Sequence, residues 1–553
     1  MRSIFTLLLS LVSISTFAQL SFMHPAPDAP IANRGVVTPI TAGIAYQGYD
    51  ESQAYFGEGE YEIFLDNVDG ILDQPIIVLD GFDPGDGRDI AGLYNSLSFG
   101  GENMADILRD EGYDIVILNA PQYSTGGKNI DGGADYIQRN AMVLVELINE
   151  MNDQKVGDAE LVVLGPSMGG LIARYALSYM EQNSLDTETR LYISFDSPHR
   201  GANIPISLQY LINYLAREFG NAEALAIVES VLNSPAAKEM LYDHYLSHLQ
   251  AGSDFLQDPN KLLPDGAPNF RDAFQSELDA LGFPQNVRNV AMVNGSSQGT
   301  TTGNPGMLVV DTTLELSPGV TADIVLRFTP EAGLTNNVTS MDSFLIGIPL
   351  NSYAADAEGF SFTDGVDASP GGTSVISAAL GGGGATNPVI VAFIDALNQD
   401  EFSFIPVISA LAIDNEDDWF EAPDIGGIHS SPFANTFIPL VNESHVEVTA
   451  ASAQFALDEI RDGSLGVSEV NRGERYRLMQ NPVGSEIVVQ LNSSGAFGNV
   501  EMSIYSLSGQ QLFSETYQNP SGQIRIPQQM ASGIYLMEIK DEFGAIPFKI
   551  IVD

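Results

Sequence analysis

Leu161-Val-Val-Leu-Gly-Pro-Ser-Met-Gly-Gly-Leu-Ile-Ala-Arg-Tyr-Ala176 passes from an apolar run, through a serine bracketed by glycines, into apolar residues at helical spacing. Leu161 to Leu164 suits a buried strand, and Leu171 to Met180 a helix. Between them, Gly165-Pro-Ser167-Met-Gly169 is a G-x-S-x-G pattern. A strand-to-helix turn this sharp forces strained dihedrals on the serine and leaves no room for neighbouring Cβ atoms, so glycine stands on both sides. Ser167 is expected to sit exposed at the head of the helix, where partial positive charge stabilises a developing anion. The plainer alternative is a glycine-rich turn of an ordinary doubly wound fold, with Ser167 only a helix cap.

Outward from this turn, strand-like and helix-like segments alternate. Gln74 to Gly81, Tyr113 to Asn119 and Leu191 to Phe195 read as strands, and Asn103 to Asp110 and Asp135 to Asn152 as helices. Short connections between them predict an α/β fold with a mostly parallel sheet. Two stretches interrupt the pattern. Residues 202–281 read as several helices, with Leu208, Leu211, Leu215 and Ala216 at helical spacing. Residues 300–385 are Gly/Thr-rich and include alternating segments such as Thr321 to Phe328, which predicts inserted β structure. From about Ser468 the chain changes to short strands split by Ser508-Gly509 and Asn519-Pro520, the pattern of a small all-β sandwich. The expected organisation is a segment at 1–18, a lead segment at 19–73 that includes the loose Pro- and Gly-rich stretch Pro25 to Gly43, a main domain at 74–465 carrying both inserts, and a carboxyl-terminal module at 474–553.

In its strand–helix setting, the serine turn resembles that of the lipase/esterase branch of the α/β-hydrolase family. Asp196-Ser-Pro-His199-Arg-Gly201 adds to this, because it looks like the T-P-H-x-G element those lipases carry after the next strand. The resemblance covers roughly Gln74 to Arg461 and implies that Ser167 is a nucleophile. An oxyanion hole needs two preorganised N–H donors. The Met168 amide is one expected donor. The second belongs to the loop Asp80-Gly-Phe-Asp-Pro-Gly85, where Asp80-Gly81 replaces the family's His-Gly and the Phe82 amide is the candidate. Alternatively, Asp83 to Asp89 is an acidic surface loop or a weak Ca²⁺ site.

Six histidines are available for the base. His24 lies in the lead. His244 and His248 lack the glutamate of an H-E-x-x-H metal motif and read as a solvated helix face. His199 belongs to the S-P-H-x-G turn, where such lipases use it for packing. The family order of serine, acid, histidine favours His445, in Asn442-Glu-Ser-His445 just before the amphipathic run Ala451 to Ile460. His429 is the second candidate. For the acid, Asp414 is expected, because it ends the apolar run Phe402 to Ile413; Asp400 and Glu401, which precede that run, are the alternatives. The cluster Asp414 to Asp418 reads otherwise as a solvated loop, or as a Ca²⁺ site bracing the histidine loop.

The 553-residue chain has 72 Asp+Glu against 23 Lys+Arg, a net charge of −49. Such a surface repels phosphate backbones and anionic headgroups, which argues against nucleic-acid partners. A hydrophobic fraction of 44% excludes a disordered acidic tail. Cysteine is absent, so disulfides, thiolate metal sites and a cysteine nucleophile are excluded. No cofactor and no resident metal are expected.

Arg2, the apolar run Ile4 to Val12 and the small residues up to Ala18 have the layout of a secretory signal peptide cleaved after Ala18. The run is shorter than the roughly 18–20 apolar residues a membrane anchor needs. At the other end, Asn481-Pro-Val, Ile504-Tyr-Ser-Leu-Ser-Gly509-Gln, Met530-Ala-Ser-Gly533-Ile-Tyr-Leu and Phe548-Lys-Ile-Ile-Val552 resemble the type A sorting domain of the type IX secretion system of Bacteroidetes. The alternative is an accessory β-sandwich such as a sugar-binding module, with Tyr505, Tyr517 and Tyr535 as its candidate aromatics. The sorting domain implies passage through the periplasm, contact with the secretion machinery, and a secreted or cell-surface destination.

Together these features predict a secreted serine hydrolase that cleaves carboxylic esters through Ser167, His445 and Asp414. An apolar helical cap over residues 202–281 would suit ester or lipid-like substrates. The competing class is a catalytically inactive hydrolase fold used for surface binding or adhesion. Amidase, acyltransferase or polyester depolymerase chemistry would use the same triad.

Overall fold

In the computed structural model the chain forms two units, Met1–Ser464 and Leu465–Asp553. The structure describes residues 26–552 apart from 28, 33, 381–386, 465–475, 479–485, 492–498, 507–510, 519, 521, 528–529, 532 and 542–543. The signal-peptide segment, His24 and the first sorting-domain motif at Asn481 lie outside the described residues.

The first unit is built on a central sheet. Its first seven strands are β1 (Thr38–Tyr46), β2 (Tyr55–Phe64), β3 (Pro75–Leu79), β4 (Asp114–Asn119), β5 (Leu161–Pro166), β6 (Thr189–Phe195) and β7 (Arg288–Met292). An antiparallel meander follows, formed by β8 (Leu308–Ser317), β9 (Val320–Arg327), β10 (Thr335–Leu345) and β11 (Ile348–Glu358). Next come β12 (Gly371–Val375) and β13 (Glu401–Pro406), which pair with each other, and β14 (Asn435–Phe437), which returns to the central sheet. The central order is β1-β2-β4-β3-β5-β6-β7-β14. All pairs from β4 to β14 are parallel, and β1 and β2 run antiparallel at one edge.

From Thr38 onward the lead at 19–73 is therefore not loose. It supplies β1 and β2, and Ile40, Ala42, Tyr61 and Phe64 from them are buried. Tyr55-Phe-Gly-Glu-Gly-Glu-Tyr-Glu-Ile-Phe64 lies between β1 and β4, with glycine where helix side chains press close. A Cβ on Gly57 or Gly59 would lie 2.7 Å or 2.9 Å from a Val143 methyl.

Parallel strands are covered on both faces, and that explains why β3, β4 and β5 read as continuous apolar runs. Ile77, Leu79, Val116, Leu118, Leu161 and Val163 face the helices α2 (Ile137–Gln154) and α3 (Met168–Gln182). Ile76, Val78, Ile115, Ile117, Val162 and Leu164 face α1 (Met104–Asp110) and α6 (Ala450–Ser464). Each fully buried aliphatic side chain here contributes roughly 1.5–3 kcal/mol of transfer free energy.

Residues 202–281 form helices, among them α4 (Ile206–Arg217) and α5 (Arg271–Leu281). The meander lies against α4: Thr339 Oγ1 donates to the Ser207 carbonyl at 2.9 Å, and Tyr214 stacks on Tyr353 at 4.2 Å. The second unit consists of antiparallel sheets that share one core of Ile487, Val489, Met502, Ile504, Ile524, Met537, Ile539 and Ile550. No helix among the described residues is long and apolar enough to cross a membrane.

Candidate active site

Strand order reverses beside β3 and β5, since the chain steps one way to β4 and the other way to β5. That places a crevice at their carboxyl ends. Three loops with chemistry leave the sheet there: Asp80 to Arg88 after β3, Ser167 after β5, and Asp196 after β6.

At the elbow, Ser167 has φ 54° and ψ −128°, the strained conformation the sequence demands. A Cβ on Gly165 would lie 2.5–2.6 Å from the Gly169–Gly170 backbone, and one on Gly169 would lie 2.7 Å from the Asp80 carbonyl oxygen. The Ser167 amide donates to the Phe195 carbonyl at 2.8 Å, so the elbow is tied to the end of β6. Asp196 (φ 47°) follows at once, and its own amide donates to Met292 on β7 at 2.7 Å.

Ser167 and His445 meet: His445 Nε2 lies 2.8 Å from Ser167 Oγ. On the other side of the ring, Nδ1 lies 2.7 Å from Asp196 Oδ2. The second Asp196 oxygen accepts the Asn294 amide at 3.0 Å. Asp196, not the expected Asp414, is thus the carboxylate at the histidine. Asp414 is exposed. The apolar run before it is not one sheet strand, because Pro406 ends β13 and residues Val407–Ala410 turn into a short helix. Asp400 is also elsewhere, accepting from Ser377 N and Oγ at 2.7 Å and 2.5 Å. Glu401 is exposed at the start of β13.

The histidine loop is held by the segment that follows the meander. The His445 amide donates to Thr373 O at 2.8 Å, and the Thr373 amide donates to Glu443 O at 3.0 Å. Val446, beside the histidine, takes φ 53°, a rare conformation for a β-branched residue. Gly372 packs directly on the acid: a Cβ there would lie 1.9 Å from Asp196 Oδ2. Phe404 on β13 meets the His445 ring edge-on at 4.9 Å. Asn294, after β7, links acid and base loops, because its side-chain amide donates to Glu443 Oε2 and Glu447 O, each at 3.0 Å.

Ser167 is 4% exposed, and Asp196 and His445 are fully buried, in contrast to the expected exposed serine. The reason is the inserted sequence. β12 and β13 lie against the acid and the histidine, and Asn203, at the start of the helical insert, donates to Phe404 O at 2.8 Å.

The other histidines are occupied elsewhere. His199 is buried between Phe283 and Phe433, with Nε2 2.8 Å from Ser194 Oγ, and burial pulls its pKa well below the usual range. His429 Nδ1 accepts the Asp424 amide at 2.8 Å, away from the triad. His244 and His248 are buried rather than on a solvated face. His244 caps a short 3₁₀ turn, where burial pulls it down to about 4, and His248 pairs with Asp243 at 2.6 Å. Among the described residues, no group of three or more His, Asp and Glu could hold a metal ion.

The loop after β3 is only partly an acidic surface loop, since Asp86 and Asp89 are exposed but its base is not. Asp80 and Asp83 are buried around Arg88, with Arg88 Nη2 2.8 Å from Asp80 Oδ1. Burial pushes the Asp80 carboxyl up to about 6, with Arg88 pulling it back and Asp83 adding to the rise. Among the described residues, neither the Phe82 nor the Met168 amide has an acceptor.

Strand order and elbow define an α/β-hydrolase. Residues 127–219 match the family described as "Putative serine esterase (DUF676)", and residues 480–553 match the "Secretion system C-terminal sorting domain". The chain thus joins an α/β-hydrolase domain with a serine-esterase family segment to a type IX secretion sorting domain, which directs it to the cell surface or outside. No curated protein matches the chain. Among solved structures it is similar to the esterase Est1E from Butyrivibrio proteoclasticus, with 10% identity over 42% of this chain and 73% of that one, at a TM-score of 0.22. It is also similar to the rice cell wall degrading esterase LipA from Xanthomonas oryzae, with 15% identity over 47% and 75% and a TM-score of 0.26. A third likeness is to dimeric latent PorU from Porphyromonas gingivalis, with 23% identity over 14% of this chain and a TM-score of 0.12; the chain spans only 9% of PorU.

Proposed function

We propose that the protein is an exported hydrolase that cleaves carboxylic esters by acyl transfer through Ser167, His445 and Asp196. The continuous hydrogen-bond chain from Asp196 through His445 to a strained Ser167 carries this reading. With its Nδ1–H donating to Asp196, His445 presents a free Nε2 lone pair to the Ser167 hydroxyl. As Oγ attacks the ester carbonyl, Nε2 takes its proton, and buried Asp196 stabilises the imidazolium. The Met168 and Phe82 amides receive the developing oxyanion. His445 then gives the proton to the leaving alkoxide. Water, activated by the same nitrogen, frees the acid product and restores the serine.

Leu79, Leu118, Val143 and Ile172 line the cavity beside Met168 and offer an acyl chain an apolar wall, and the net charge of −49 disfavours strongly anionic esters. On this reading the hydrolase begins before residue 74, because β1 and β2 belong to its sheet. A fluorophosphonate probe tests the chemistry. Labelling is expected on wild type and not on Ser167→Ala, and a nitrophenyl ester series then sets the acyl length. Folded wild type that takes no label is the inactive binding protein instead.

A further inference from the structure

The loop from Asp80 to Arg88 leaves the sheet and belongs to no helix or strand, yet it must hold one N–H still. Its peptide groups are tied in succession. The Asp80 amide donates to Leu118 O at 3.2 Å, and the Gly81 amide donates to Asp80 Oδ1 at 2.7 Å. Asp83 N donates to Gly133 O at 2.9 Å, and Arg88 N donates to Asp83 Oδ2 at 2.7 Å. The Phe82 amide is passed over.

The Arg88 side chain sits at the centre of these ties. Nε and Nη2 donate to Asp80 Oδ1 at 3.2 Å and 2.8 Å, and Nη2 also donates to the Phe82 carbonyl at 3.1 Å. Its side chain is 16% exposed, and the two carboxylates beside it are each 4% exposed. Taking the guanidinium away leaves two buried carboxylates facing each other, which drives the loop apart. The loop also abuts the elbow, since the Asp80 carbonyl fills the space next to Gly169.

We propose that Arg88 is a positioning residue for the oxyanion hole: by gripping the Asp80 carboxylate and the Phe82 carbonyl together, it locks the Gly81–Phe82 peptide with its N–H free for the substrate oxygen. This rests on the serine-hydrolase reading. A planar guanidinium can serve both acceptors at once, whereas an ammonium supplies one point charge.

The test compares wild type, Arg88→Met and Arg88→Lys by kcat and KM on a nitrophenyl ester, with active sites counted by the fluorophosphonate and folding checked by circular dichroism. Loss of a single oxyanion donor costs about 10²–10³ in kcat, so a loosened donor is expected to cost at least tenfold. Both variants should lose about tenfold or more in kcat with KM within about twofold. Millimolar guanidinium should restore part of the kcat of Arg88→Met. If Arg88→Met is recovered only unfolded, Arg88→Lys decides by the same criterion. Folded variants with kcat per labelled site within twofold of wild type overturn the inference alone. Wild type that neither labels nor turns over overturns the hydrolase reading, and this inference with it.

Discussion

Replacing Asp196 by asparagine alters one buried atom and reverses the tautomer of His445. The two oxygens of Asp196 have different partners. Oδ1 accepts the Asn294 amide at 3.0 Å, and Oδ2 lies 2.7 Å from His445 Nδ1. A backbone N–H can only donate, so the new side chain must keep its carbonyl oxygen at Asn294. Its NH₂ group is then forced against Nδ1, which has to become an acceptor. The ring proton moves to Nε2, 2.8 Å from Ser167 Oγ, where a lone pair is needed. The variant is isosteric, so the close packing of Gly372 on this side chain and the fold are unchanged. A wrong tautomer in a buried triad costs about 10⁴ in kcat, which is ~5.5 kcal/mol of transition-state stabilisation. The assay is nitrophenyl ester turnover at pH 7, with melting temperature as the control for folding. Retention of more than a tenth of wild-type kcat by folded Asp196→Asn, together with loss in Asp414→Asn, would refute the reasoning.

Gly372→Ala puts a methyl where Asp196 Oδ2 sits and should lower kcat at least tenfold by displacing the carboxylate, as read in the same turnover assay. His445→Ala should abolish labelling by the fluorophosphonate, whereas His429→Ala should keep kcat within about twofold, because its ring only braces the turn at Asp424. Glu239 is fully buried, and burial pushes its carboxyl well above the usual range. A raised carboxyl favours the folded state while protonated, and that contribution is lost as pH rises towards the folded-state pKa. Glu239→Gln keeps the neutral form at every pH, so its melting temperature should exceed that of wild type at pH 8, with the gap closing towards pH 4.

The elbow was legible because its geometry restricts residue choice: only glycine fits at 165 and 169, and both are visible as letters. His445 was legible from its place before an amphipathic helix. Asp196 was harder, because its motif drew attention to His199, and nothing in the letters says which of two residues three apart turns toward the serine. The signal that could have found it is positional, a carboxylate at the carboxyl end of the strand next to the elbow strand. Asn294 was passed over because it is not an acid, although it binds the acid's far oxygen. The run Phe402 to Ile413 has the apolar continuity of a buried strand, but Pro406 ends the strand and starts a short helix inside it. β1 and β2 were missed because Pro- and Gly-rich flanks hid an alternation that only a neighbouring helix explains.

In the proposed triad, nucleophile and acid leave adjacent strands in the first half of the chain, and the base comes 278 residues after the serine. It is clamped to Thr373, in the strand that follows the β-rich meander. A chain still emerging, or one whose later half has not yet docked, therefore holds a strained serine with nothing to deprotonate it. On the proposed mechanism, reactivity therefore waits for this long-range contact.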